Sequence, residues 1–303
     1  MSTRLTVLGL TIAVLVSSYA GRLRGQCLDD YLVRSAEALR ANGADYLVVA
    51  ADGFIEPLLP LFNYRATSHT VRVLPLSFVY AHFDTTLLSR PEAIKAAIRF
   101  CWGNWQPRPR FVLLVGDANE QGGPTDFCPS PRFPKFSYPY AFDLQEHASD
   151  NWYVEMTDTA YLPVMAIGRL PIRTADQAQT VVSKIMAYEQ AVANGSYSRT
   201  ATVISAGEYS PFVRRDVWPY FTSGALRLNA IEMDGLSAAA VADSIVNAFN
   251  SGSFVVAVFT HAHFLLRVWW GWCGDGPFCV AFSADHVSRL LNAPRFPFLL
   301  SFG

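Results

Sequence analysis

Short runs of strand-forming residues alternate with helical stretches along this chain, and that order does most to restrict the fold. Strands are expected at Asp45-Tyr-Leu-Val-Val-Ala-Ala51, Thr70-Val-Arg-Val-Leu-Pro-Leu76, Phe111-Val-Leu-Leu-Val115, 163–168, 201–206, 227–233, Ser253-Phe-Val-Val-Ala-Val-Phe259 and Phe296-Pro-Phe-Leu-Leu-Ser-Phe302. Several are apolar throughout, the pattern of strands covered on both faces. Between them lie helical patterns. Residues 29–41 place Leu32, Ala36 and Leu39 on one face, and Ser89 can cap a helix with Pro91 in its first turn. Further helices are expected at 174–193, 237–250 and 285–292. Strands and helices alternating in this way imply parallel pairing and an α/β sandwich. In such sheets chemistry gathers just past the carboxyl ends of the strands. The strand at 253–259 delivers Thr260-His261-Ala262-His263 to that position.

Bulk properties narrow the function. Hydrophobic residues make up 51% and charged residues 16%, so the chain has ample material for a core. With 24 Lys and Arg against 25 Asp and Glu, there is no basic surplus to neutralise phosphates, which argues against nucleic acid as a partner. Arg4, the apolar run Leu5 to Val16 and the small residues up to Ala20 read as a signal peptide within residues 1–25. The run is short of the ~20 residues that a spanning helix needs. A membrane anchor or a buried helix is the alternative. Export to the cell surface or beyond is therefore expected, with no membrane span in the mature chain. Five cysteines suit an exported protein with one or two disulfides, and Cys273 and Cys279 flank a Gly/Pro-rich loop that could close one. Their spacing is wrong for a CxxC zinc site.

The stiff Gln106-Pro-Arg-Pro109 segment suggests a boundary, with a smaller α/β subdomain at 26–108 and a larger one at 109–303. No cofactor is required by any motif. The acidic loops from Asp117 to Asp158 could hold a structural calcium ion, although they lack EF-hand spacing.

A family resemblance enters through Phe111-Val-Leu-Leu-Val-Gly-Asp117, Ser149-Asp150-Asn-Trp-Tyr153, Gly168-Arg169-Leu-Pro171 and Lys184-Ile-Met-Ala-Tyr188-Glu189. The strand from Ala44, the Pro91-Glu-Ala-Ile helix and the Asp285 to Asn292 segment extend it. In this order and at these distances they resemble the gingipain-type cysteine peptidases, family C25, over residues 40 to 303. The resemblance implies a caspase-like three-layer α/β sandwich with a mostly parallel sheet, preceded by a smaller α/β subdomain. It also implies a secreted endopeptidase acting on protein or peptide substrates through a Cys–His dyad. The family's Gly-His-Gly maps onto Thr260-His261-Ala262, departing at both glycines, and its cysteine maps one position beyond Gly303. A relative that binds peptides without cleaving them is the alternative reading, and the lost glycines favour it.

That mapping assigns named roles. His261 is the expected general base; the alternative is a histidine that caps the strand end. His263 is read mainly as a loop residue. The amide of Ala262 is a candidate oxyanion donor. Asp117 could orient the histidine or simply cap its own loop. Asp150 could receive an arginine side chain of the substrate in the first specificity pocket, or cap a helix or a calcium loop. Cys279 lacks the strand-end presentation of a nucleophile. Leu-Leu-Ser301-Phe-Gly303 is not a Gly-x-Ser-x-Gly elbow, which weakens a serine-hydrolase reading.

Overall fold

The computed structural model describes residues 26–41, 43–83, 86–118, 127–133, 147–157, 162–224, 226–263 and 266–302. The expected signal segment lies outside these residues, as do most of the acidic loops. The described residues fall into two compact units that divide between Val182 and Ser183.

The first unit is built on a parallel sheet of β1 (Tyr46–Ala50), β2 (Val71–Pro75), β3 (Phe111–Val115) and, after a short ladder of β4 (Arg132–Phe133) with β5 (His147–Ala148), β6 (Ala166–Leu170). The order is β2-β1-β3-β6. Leu47, Val48, Val49 and Ala50 are all fully buried, so both faces of β1 are covered, as its unbroken apolar run foretold. Helices α1 (Ala36–Ala41), α2 (Leu59–Arg65), α3 (Leu76–His82) and α4 (Arg90–Asn104) accompany the sheet. Helix α4 starts where the sequence indicates. Ser89 Oγ accepts from the Glu92 amide while Glu92 accepts from the Ser89 amide, a reciprocal cap typically contributing about 1 kcal/mol. The boundary expected after residue 108 does not separate the units. β3 pairs in register with β1, Tyr46 opposite Phe111, so that cut would split one sheet. The division falls instead within α5 (Ala175–Ala193).

The second unit repeats the scheme. Its parallel sheet holds β7 (Thr200–Ser205), β8 (Arg227–Glu232), β9 (Val255–Phe259) and, later in the chain, β13 (Phe298–Phe302), in the order β13-β9-β7-β8. Alternate residues of β9 serve opposite faces. Val256 and Val258 pack with α7 (Ala238–Asn250), while Ala257 and Phe259 pack with a helical run at 210–222, here α6, whose middle turn is π-helical. Three layers result. Helix α7 buries Val241, Ala242, Ile245, Val246 and Phe249, the spacing of one helical face, and Ser237 Oγ caps it through the Ala240 amide.

Two features depart from expectation. Helix α6 occupies a stretch read as irregular: Pro211 sits in its first turn, where proline is tolerated, and Pro219 falls in the α-helical turn that follows the π-helical one. Residues 261–283, read as loop, form an antiparallel sheet of β10 (His261–His263), β11 (Val268–Cys273) and β12 (Gly276–Ser283). A disulfide joins Cys273 to Cys279 across the β11–β12 turn. The expected helix at 285–292 contracts to α8 (Ala284–Val287).

Candidate active site

Parallel pairing brings the ends of β7 and β9 together. Ser205 lies opposite Phe259, and the Ala206 amide donates to the Phe259 carbonyl at 2.9 Å. The residues just past both strands therefore emerge at one edge: Gly207-Glu208-Tyr209 after β7, Thr260-His261 after β9. Thr260 is buried, its amide bonded to the Phe302 carbonyl of β13 at 3.2 Å. His261 then opens β10 opposite Trp270 of β11.

The imidazole of His261 is held on several sides. Its Nε2 lies 3.2 Å from Glu208 Oε1. The Tyr209 hydroxyl lies 3.4 Å from both ring nitrogens. The Trp270 ring stacks on it with centroids 4.4 Å apart and planes at 24°. The second oxygen of Glu208 accepts from the Trp272 amide at 3.0 Å, so the hairpin that positions the ring also positions its carboxylate. That approach depends on Gly271, where an added Cβ would lie 2.3 Å from Ala206 Cβ and 3.2 Å from Glu208 Oε1. Burial, and then the charge of Glu208, raise the pKa of the Tyr209 phenol, which keeps it protonated and able to donate.

Chemically, this arrangement orients an imidazole. A carboxylate at Nε2 holds a proton on that nitrogen and leaves Nδ1 as the lone-pair nitrogen able to accept one. Thr260 and Ala262, which replace the glycines of the expected motif, need no left-handed backbone. Among the described non-glycine residues only Arg267 has positive φ, at 54°. Ala262 is exposed on β10, an outer strand of its sheet. His263 accepts from the Leu266 amide at 3.3 Å.

The two expected acids lie in the first unit. Asp117 follows β3 and pairs with Arg173 Nε, while its carbonyl receives the amides of Phe127 and Cys128. At the histidine itself the carboxylate within reach is that of Glu208. Asp150 is already occupied. Arg169 donates to both of its oxygens at 2.7 Å and Ser130 to one at 2.8 Å, leaving no fork free for a substrate arginine. Arg169 also donates to the carbonyls of Gly116 and Cys128, which ties the end of β3 to the loop beyond it. Sequence reasoning misses Glu208 because the stretch after β7 has no regular pattern. Its signal is an acid three positions beyond an apolar strand, at the same sheet edge as the histidine.

Cys279 is tied up in the disulfide, which excludes it as a nucleophile. Cys101 and Cys128 are wholly buried, and burial pushes the Cys101 thiol well up. Among the described residues no group of three or more His, Cys, Asp or Glu side chains could hold a metal ion.

The profile of peptidase family C25 matches residues 40–303. The chain belongs to that family. No curated protein matches the sequence. Among solved structures, gingipain R, described as an Arg-specific cysteine proteinase, aligns at a TM-score of 0.57 and 16% identity, over 86% of this chain and 54% of its own. A structure described as a protease aligns at 0.60 and 19%, over 84% and 51%. The complex of Porphyromonas gingivalis RgpB pro- and mature domains aligns at 0.56 and 16%, over 84% and 55%. These similarities establish a gingipain-like, caspase-like α/β fold. This C25 chain spans about half the length of the solved chains it matches.

Proposed function

We infer that this C25 chain carries the base half of a secreted cysteine endopeptidase of gingipain type. The observation that carries the reading is the His261–Glu208 pair at 3.2 Å, set at the carboxyl edge of a parallel sheet. His261 Nδ1 takes the thiol proton and later returns it to the leaving amine; Glu208 orients the ring, and the Ala262 amide faces the developing oxyanion. The nucleophile is a cysteine in the position after Gly303. The reading is supported by β13, which pairs in parallel with β9, the strand that leads to His261. Export rests on the N-terminal signal-like segment, and no helix among the described residues is long and apolar enough to cross a membrane.

The test is to express the chain continued through its natural downstream sequence and to follow hydrolysis of reporter peptides. Cleavage blocked by iodoacetamide is expected. His261→Ala should lower kcat by about 10²–10⁴. Glu208→Gln should lower it at least tenfold while leaving the far-ultraviolet spectrum unchanged. A residue other than cysteine after Gly303, or cleavage indifferent to His261, would overturn the reading and leave the peptide-binding alternative.

A further inference from the structure

The β11–β12 hairpin carries apolar side chains that the core does not use. Phe278 is 80% exposed, Trp272 58% and Val280 40%. Contiguous apolar surface of this kind commonly marks a binding site. Here it is continuous with the catalytic candidate. Phe278 stacks on Trp270 with centroids 5.4 Å apart and planes at 29°, and Trp270 stacks on the imidazole of His261. An unbroken row of rings runs from the base to the hairpin tip.

The platform under this row is fixed before any ligand arrives. Trp269 and Phe282 of the same hairpin pack into the core. The Cys273–Cys279 disulfide closes its tip. Asp275 accepts from the Ala238 amide at the start of α7 at 2.8 Å, and the Gly274 amide donates to the Leu236 carbonyl at 2.8 Å. Rings presented in this way lose little freedom on binding. β10 is one of the two outer strands of its sheet and carries His261, so its far edge can accept an extended peptide by strand addition.

We propose that this aromatic shelf is a substrate subsite taking an aromatic or large aliphatic side chain of an extended peptide, with Phe278 and Trp270 setting the preference. The proposal rests on the peptidase reading of His261. Continuity with that ring identifies the occupant as substrate. The charges around the row decide its chemistry. Both oxygens of Glu208 are engaged, by His261 and by the Trp272 amide, so the row offers an apolar side chain ring surface without offering an arginine a free carboxylate.

Binding is tested separately from cleavage. Blocked alanine–glycine hexapeptides with a single central Phe, Leu or Arg are titrated into the protein, with the indole N–H resonance of Trp270 followed by NMR. The Phe and Leu peptides should bind at least tenfold tighter than the Arg peptide. Phe278→Ser, at a surface position that leaves the fold intact by circular dichroism, should erase that preference. Equal or reversed affinity, or a preference unchanged by Phe278→Ser, would overturn the subsite. If the extended chain cleaves only after arginine, the subsite fails and the peptidase reading stands. If the Phe peptide binds as expected but the extended chain cleaves nothing, the peptidase reading fails and the apolar site survives.

Discussion

Asp150 shows how a single residue can have the right chemistry and the wrong vacancy. Desolvation pushes its carboxyl upward, but the hydrogen bonds and charge of Arg169, with Ser130, outweigh that and hold it below the usual carboxylate range. Since the unfolded value is about 3.9, the pair's contribution is fully present above that pH and is lost as pH falls through the lower folded value. Acid should therefore loosen the joint between β3, the 128–130 loop and β6 only below about pH 4. Side-chain exposure is 12% for Arg169 and 27% for Asp150, so removing one partner strands a largely buried charge. Asp150→Ala should lower stability by about 3 kcal/mol, read as a fall in the urea midpoint with an unchanged slope. If Asp150 instead received substrate arginine, the variant would keep its stability and lose affinity for Arg peptides.

At the scale of elements, the hairpin β11–β12 decides how well the site is held. It supplies Trp270 to the imidazole, the Trp272 amide to Glu208 and the Gly271 gap that admits both. Cys273 and Cys279 are six residues apart in sequence, a short loop whose closure is worth about 2 kcal/mol on the chain-entropy account. Cys273→Ser with Cys279→Ser should speed hydrogen exchange at the Trp272 amide, while amides of β1 and β3 keep their protection. Equal acceleration in both sheets would mean that the bridge serves global stability and not the site. This hairpin is also the element least legible in the sequence. The parallel strands announce themselves because their burial on both faces demands unbroken apolar runs, as in Leu47 to Ala50. Val268-Trp-Trp-Gly-Trp-Cys273 has no such uniformity: Trp269 is packed inward, Trp270 lies against a histidine, and Trp272 is exposed. Register shifts at Trp269/Trp270 and Gly271/Cys273 break the two-residue period that would mark a strand. His261 is legible because a parallel strand points to it. Glu208 is not, because its partner is identified only when two strands distant in sequence are laid side by side.

Across the whole molecule, each unit has its own parallel sheet, and the thiols are distributed in a way that bears on activity. Cys101 and Cys128 are sealed in the first unit, and Cys273 and Cys279 are spent in a disulfide. Cys27 is exposed at the head of a 3₁₀ turn in the first unit, whereas His261 belongs to the second. Around the proposed base, the Glu208 carboxylate and the Tyr209 phenol each stand within 3.4 Å of a ring nitrogen of His261. On the proposed reading the nucleophile follows Gly303, and none of these five cysteines replaces it. The 303-residue chain should accordingly hydrolyse no reporter peptide, with or without reductant, under conditions where the form continued past Gly303 does. Both forms should bind the Phe hexapeptide alike, since every ring of the proposed subsite precedes β13. Thiol-sensitive hydrolysis by the 303-residue chain would show that one of its five cysteines is the nucleophile, and would remove the need for a cysteine beyond β13.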